Sequence, residues 1–166
     1  MFRRIEDFLV GYRYESQSTL KLLDQLTDAS LLQKVTPDGR SLGQLAWHIT
    51  LTLGEMLGRT GLSPACPGQD AAVPASVREI RETYARASSS ALEQIEAQWT
   101  DTMLDEMLDM YGQQWRRGAA LAAFTAHEAH HRGQMTVLMR QAGLKVPGVY
   151  GPAREEWAEF HQPAPW

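Results

Sequence analysis

The stretch of sequence that decides the fold runs from Phe124 to Leu138. It reads Phe124-Thr125-Ala126-His127-Glu128-Ala129-His130-His131-Arg132-Gly133-Gln134-Met135-Thr136-Val137-Leu138. Steps of three and four residues place five of its side chains on one helical face, namely Phe124, His127, His131, Met135 and Leu138. Because apolar residues and two histidines share this face, we predict an α-helix from about Trp115 to Ala142 that turns both histidines inward. Gly143 is typical of the residue that ends a helix.

Three further helices are predicted upstream of this stretch. Apolar residues recur at three- and four-residue steps over approximately Arg3–Leu26, Ser41–Gly58 and Val77–Trp99. Ser41 with Gln44, and Ser76 with Glu79, form capping-box patterns that predict the starts of the second and third helices. The second helix should stop near Gly58 or Gly61.

The connections between the helices complete the fold prediction. Gly61–Pro74 contains too many helix breakers for regular structure, and its length suits a long connection along a bundle. Thr100–Gln114 fits either a short helix or, over Met107–Tyr111, an extended segment. The tail after Pro147 includes a predicted short helix near Arg154–Phe160. We therefore predict a single all-α domain over residues 1–166, an antiparallel four-helix bundle with a long connection between helices two and three.

Composition narrows the class of protein. The chain has 166 residues, of which 43% are hydrophobic and 22% charged, the balance of an ordinary globular domain. Its net charge of −4 argues against a nucleic-acid partner. A lone cysteine, Cys66, excludes an internal disulfide and fits a cytoplasmic location. We find no signal peptide and no apolar run that predicts a membrane span.

The histidines carry the predicted chemistry. His127 and His131 are four residues apart, so both imidazoles can reach one point beside the helix, and neutral imidazole pairs suit Zn, Ni, Cu or Fe. His48, on the predicted second helix, can complete a triad of histidines that leaves coordination positions open for water or substrate. The alternative is that these histidines are buried and hydrogen-bonded, with no metal.

The five consecutive residues from His127 to His131 also match the H-E-x-x-H pattern of zinc peptidases, in which Glu128 would be the catalytic base. The longer version of the motif fails at Gln134 and Val137. Glu155 or Glu156 is a candidate for a further metal ligand, although several glycines and prolines intervene. Glu128 is therefore a candidate catalytic residue, or a partner that orients an imidazole, or a helix-surface carboxylate that pairs with Arg132.

These segments together resemble a known family. Leu45-Ala46-Trp47-His48-Ile49, His127 to Met135 and Gly143 to Pro152 are similar to motifs of the DinB-like superfamily of damage-inducible four-helix-bundle metalloproteins. The resemblance covers essentially the whole chain. It implies a divalent metal held by His48, His127 and His131, and a homodimer. It also implies kinship with transferases and isomerases that use a low-molecular-weight thiol such as bacillithiol or mycothiol.

Three functions follow from the residues and the resemblance. The first is a metal-dependent enzyme acting on a small molecule, either a thiol S-transferase or a hydrolase, with Zn or Ni as the favoured metal and Fe or another divalent ion as alternatives. The second is a non-enzymatic, stress-related binding or dimerisation module with a structural metal or none. The third is a zinc peptidase that uses Glu128.

Overall fold

The computed structural model describes residues 1–165, and Trp166 lies outside the described residues. The described chain is mostly helical. Its long helices are α1 (Ile5–Leu23), α2 (Leu42–Gly58), α3 (Val77–Gln98) and α4 (Arg117–Gln141). Short 3-10 turns cover Asp28–Leu32, Asp101–Asp105 and Arg154–Phe160, and two strands cover β1 (Met107–Met110) and β2 (Gln113–Arg116).

The four long helices share one hydrophobic core. α1 packs against α3 and α4, and α2 packs against the same two helices. Each helix contributes fully buried apolar side chains to the core, among them Phe8, Leu53, Ile80 and Phe124. Because α2 and α4 are neighbours, the helices that carry His48 and the His127–His131 pair lie side by side.

The predicted start of α2 is confirmed. The Gln44 backbone N–H donates to Ser41 Oγ at 3.2 Å, and the Ser41 backbone N–H donates to Gln44 Oε1 at 2.8 Å. This reciprocal capping box satisfies two helix-end donors that would otherwise lack partners. The helix ends at Gly58, as the glycine predicted.

The predicted cap of α3 is wrong. Ser76 precedes the helix, but its side chain accepts no capping hydrogen bond. The Val77 backbone N–H instead donates to Asp28 Oδ1 at 2.8 Å, so a carboxylate from a distant 3-10 turn does the capping. An acidic group at this end also suits the positive end of the helix dipole.

The expectation of an all-α chain needs a correction. β1 and β2 pair antiparallel between α3 and α4, with Met107 opposite Arg116 and Met110 opposite Gln113. The two residues between the strands both have positive φ, 60° at Tyr111 and 78° at Gly112, as a tight hairpin turn requires. The extended alternative for this segment is therefore the correct one, and α4 begins at Arg117 rather than at Trp115.

The long connection between α2 and α3 is confirmed. Residues 59–76 contain no helix and no strand. Trp47 Nε1–H donates to the Ala71 carbonyl oxygen at 2.9 Å, which fastens the later part of the connection to α2.

Among the described residues, no helix combines the length and the apolar character that crossing a membrane would need.

Candidate metal centre

The structure brings together the three histidines that the sequence singled out. His48 comes from α2, and His127 and His131 come from adjacent turns of α4. One ring nitrogen from each lies within 4.8 Å of the other two. His127 Nε2 is 3.0 Å from His48 Nε2 and 2.6 Å from His131 Nε2. Three imidazoles therefore converge on one point between two packed helices.

Burial disfavours the charged form of all three histidines. Burial is the main cause that lowers the pKa of His48, from 6.5 to about 4, with further contributions from the charges of His131 and Arg40. Burial likewise lowers the pKa of His127 and of His131. A metal ligand must be a neutral imidazole with a free lone pair, so this environment prepares the rings for coordination near neutral pH.

Gln134 fixes the orientation of one of these rings. His131 Nδ1 lies 2.7 Å from Gln134 Oε1, an arrangement in which Nδ1–H donates and the neutral ring keeps its lone pair on Nε2, inside the cluster. Gln134 Nε2 in turn donates to His130 Nε2 at 3.2 Å. His130 is exposed and lies outside the group of converging nitrogens.

The donor set fits a divalent transition metal. Three neutral imidazole nitrogens suit Zn, Ni, Cu or Fe better than the oxygen-seeking ions Mg and Ca. Within residues 1–165, no aspartate, glutamate, cysteine or further histidine joins the three as a fourth member of the group. Three protein ligands are the pattern of catalytic metal sites, in which the remaining positions are open to water or substrate.

Glu128 points into a different environment. Its side chain is only 1% exposed, and its carboxylate accepts hydrogen bonds from Tyr12 (3.1 Å), Thr19 (2.5 Å) and Tyr84. Arg132 Nη1 lies 3.6 Å away, so the predicted pairing at i+4 is present. The description of Glu128 as a surface carboxylate is wrong, because the group is buried where α1, α3 and α4 meet.

Similarity to known proteins agrees with this architecture. The model of the DinB family matches residues 1–164 of the chain. The chain belongs to the DinB family. It is 45% identical over 165 residues to the uncharacterized protein YrdA of Bacillus subtilis (strain 168), with 99% of each chain covered.

Two solved structures extend this similarity. A crystal structure of a DinB-like protein from Bacillus cereus ATCC 10987 is 43% identical and superposes with a TM-score of 0.87, covering 90% of this chain and 100% of that one. A second DinB-like protein, YjoA of Bacillus subtilis, is 21% identical with a TM-score of 0.69, covering 86% and 96%. The second of these supports the fold alone.

Two charged residues beside the centre of this DinB-family chain were missed at the level of sequence. Burial lowers the pKa of both His48 and His127, whereas the negative charge of Glu55 acts to raise it and the positive charge of Arg40 to lower it further. Glu55 follows His48 by seven residues, which is two helical turns on the same face, so its proximity was readable from spacing. Arg40 precedes Ser41, the cap of α2, so helical spacing could not predict its proximity to the histidines.

Glu55 is itself held by the hairpin. Tyr111 donates a hydrogen bond to Glu55 Oε2 at 2.6 Å, and Arg59 Nε donates to Glu55 Oε1 at 2.8 Å. The Arg59 guanidinium also lies 4.4 Å from the centre of the Tyr111 ring. The hairpin turn thus contacts α2 at Glu55, two helical turns after His48. The sequence did not predict this contact.

The other candidate residues lie elsewhere. Glu155 pairs with Arg140, and Glu156 accepts hydrogen bonds from the backbone N–H groups of Gly148 and Ala153. Neither glutamate belongs to the histidine group. The Cys66 thiol donates to the Thr50 carbonyl oxygen at 3.2 Å, and burial raises its pKa, which disfavours a reactive thiolate.

Proposed function

We propose that this DinB-family protein is a metal-dependent enzyme that acts on a small molecule. One divalent metal ion, in the first place Zn or Ni, would be held by His48, His127 and His131. The observation that carries the proposal is the convergence of three neutral imidazole nitrogens from α2 and α4 with no fourth protein ligand among the described residues. This donor set leaves coordination positions free for chemistry.

The residues around the centre have distinct parts in this proposal. A bound metal supplies a Lewis acid, which lowers the pKa of a coordinated water or thiol. Gln134 keeps His131 in the tautomer whose Nε2 faces the centre. The opposite charges of Glu55 and Arg40 act in opposite directions on the pKa of His48 and His127. Glu128, which we predicted as a candidate catalytic residue, is better explained as a buried link that holds α4 against α1 and α3.

Two reaction types remain within the proposal, S-transfer from a low-molecular-weight thiol and hydrolysis. Both need the same three ligands and an open coordination position. A thiol user would require the thiol cosubstrate for turnover, whereas a hydrolase would not.

We further propose that the chain forms one cytoplasmic four-helix-bundle domain over residues 1–166 and acts as a homodimer in a stress response. We also propose that it has no nucleic-acid partner, consistent with its net charge of −4, and no membrane partner.

The two alternatives have less support. A structural metal in a binding or dimerisation module is normally enclosed by four protein ligands, and the group here has three. A zinc peptidase of the H-E-x-x-H type needs its glutamate beside the metal-bound water. Glu128 instead receives hydrogen bonds from two tyrosines and a threonine in the core.

Metal content tests the proposal directly. Tag-free wild-type protein should contain about one divalent metal ion per chain by plasma mass spectrometry, and His127→Ala should lose it. His130→Ala is the matched control, because His130 is a neighbouring but exposed histidine outside the group, and it should keep its metal. Wild-type protein that retains no metal after incubation with Zn or Ni and desalting would contradict the proposal.

A further inference from the structure

A cleft of about 350 Å³ opens between α2 and α4, and its lining includes Gln134, which contacts His131. Its volume lies within the range of roughly 300–1,000 Å³ that is typical of small-ligand pockets. The cleft lies between α4, the first turns of α2 and the segment that precedes α2. The residues that line it are Val35, Gly39, Arg40, Leu45, Gln134, Val137 and Leu138.

The cleft borders the histidines through its own lining. Leu45 lies three residues before His48 on α2, which places it one helical turn away. Gln134 lies one turn beyond His131 and contacts that ring directly, with Oε1 2.7 Å from Nδ1. The cleft is therefore linked to the histidine cluster through Gln134, which contacts the Nδ1 edge of His131, whereas the ring nitrogens converge at the Nε2 edge.

The walls of the cleft combine an apolar surface with one unpaired cation. Val35 and Val137 are 62% and 52% exposed, so both present apolar surface to the solvent in the cleft. Arg40 is exposed and forms no ion pair within residues 1–165. The cleft thus offers a positive charge whose natural partner is an anion from outside the chain.

Arg40 immediately precedes Ser41, the cap of α2, and lines the same cleft as Gln134, which contacts His131. An anionic group bound by Arg40 would consequently lie in the cleft. The rest of the bound molecule would have apolar walls on which to pack.

We propose that this cleft is a binding subsite for a small organic anion with an apolar body. The anionic group, such as a carboxylate, pairs with the Arg40 guanidinium, and the apolar body packs on Leu45, Val137 and Leu138. The role of the cleft as a substrate subsite rests on the proposed metal centre, whereas binding of the anion does not. The substrate class that fits this cleft is an amphipathic acid.

The test uses 4-phenylbutyrate as the probe and neutral 4-phenylbutanamide as its uncharged match. Isothermal titration calorimetry should show saturable binding of the acid to wild-type protein, with the amide about tenfold weaker, the loss typical of a missing charge-assisted contact. Arg40→Gln should weaken acid binding about tenfold and remove the preference for acid over amide. Arg78→Gln should bind the acid like wild type, because Arg78 is an exposed arginine on α3 outside the cleft.

Val137→Glu probes the apolar wall. Val137 is half exposed, so the substitution leaves the core intact, but it puts a like charge and extra volume into the cleft. Acid binding should become undetectable in a variant whose circular dichroism matches wild type. Equal binding of acid and amide to wild type, or wild-type affinity in Arg40→Gln, would overturn the proposal.

Two further readouts separate this proposal from the one on which it rests. Acid binding that depends on Arg40 in a protein that takes up no metal supports the subsite and contradicts the metal centre. A protein that binds metal but neither probe contradicts the subsite alone. Light scattering measures the oligomeric state and tests whether a second copy of the chain fills the cleft instead of a small molecule. A wild-type dimer that binds no probe and becomes a monomer in Val137→Glu would make the cleft a subunit interface and overturn the proposal.

Discussion

Glu128 illustrates how a single residue in this sequence can have a role that its motif does not predict. A carboxylate that is 1% exposed is costly unless its oxygens have partners. Here Tyr12 and Thr19 of α1, Tyr84 of α3 and Arg132 of α4 provide them. Burial raises the pKa of Glu128, while the hydrogen bonds from Thr19 and Tyr84 and the charge of Arg132 oppose that rise. The residue joins three helices at one buried point.

We therefore expect Glu128→Ala to affect stability rather than metal binding. Removing one partner of a buried charged network leaves the others uncompensated, so the free energy of unfolding should fall by about 3 kcal/mol in urea denaturation. Glu96→Ala is the control, because Glu96 is 62% exposed in its pair with Arg13 and should cost less than about 1 kcal/mol. Loss of the metal from a Glu128→Ala variant of unchanged stability would instead place Glu128 at the centre.

The two kinds of site residue differ in how far the sequence predicts them. The proximity of the two histidines on α4 was predictable because a four-residue spacing fixes two side chains relative to each other. The environment of the Glu128 side chain was not predictable. This side chain points about 100° around the helix from His127, and what it contacts there depends on which helices pack against that face. Its partners on α1 and α3 lie more than 40 residues away. Their contacts depend on the packing of helices, which no local pattern records.

At the scale of elements, the β-hairpin is the part of the fold that sequence patterns left undecided. Two-residue hairpin turns favour Asn or Gly at both central positions, and the first of them here is Tyr111 with φ of 60°. A tyrosine at such a position gives no turn signal. Its side chain has a tertiary partner instead, because its hydroxyl donates to Glu55 on α2. Ser76 shows the same limit, since the real cap of α3 comes from Asp28.

The Tyr111–Glu55 contact should be visible in alkaline titrations. Burial, followed by the hydrogen bond to Glu55, raises the pKa of Tyr111 from 10.0 to about 12. The folded state thus favours the neutral phenol, and this stabilisation is complete below pH 10 and lost as the pH rises towards 12. Ultraviolet difference titration of wild type against Tyr111→Phe isolates this group, and Glu55→Gln should move its pKa back towards 10.

Tyr150 provides the internal control for that titration. Burial and its hydrogen bond to Glu15 raise its pKa to about 12 as well, but it lies on the C-terminal tail rather than on the hairpin. Its titration should be unchanged in both Tyr111→Phe and Glu55→Gln. If Glu55→Gln leaves the Tyr111 titration where it is, the hairpin does not dock on α2 through this contact.

At the scale of the whole molecule, the proposed metal centre connects parts of the chain that are far apart in sequence. His48 and His127 are 79 residues apart, and they belong to helices separated by the long connection, α3 and the hairpin. A ligand that requires both helices in place binds the folded state and not the unfolded chain. The folding of the entire domain should accordingly depend on the concentration of free metal.

Thermal unfolding measures this dependence. Free Zn at about one hundred times its Kd should stabilise the wild type by roughly 2.7 kcal/mol, which corresponds to a rise in Tm of roughly 5–10 °C for a domain of this size. His48→Ala should show a much smaller rise, because α2 then has no ligand to offer, while His130→Ala should respond like wild type. Addition of EDTA should reverse the shift. An equal rise in His48→Ala would mean that the metal binds the α4 pair alone, and α2 would then have no part in holding it.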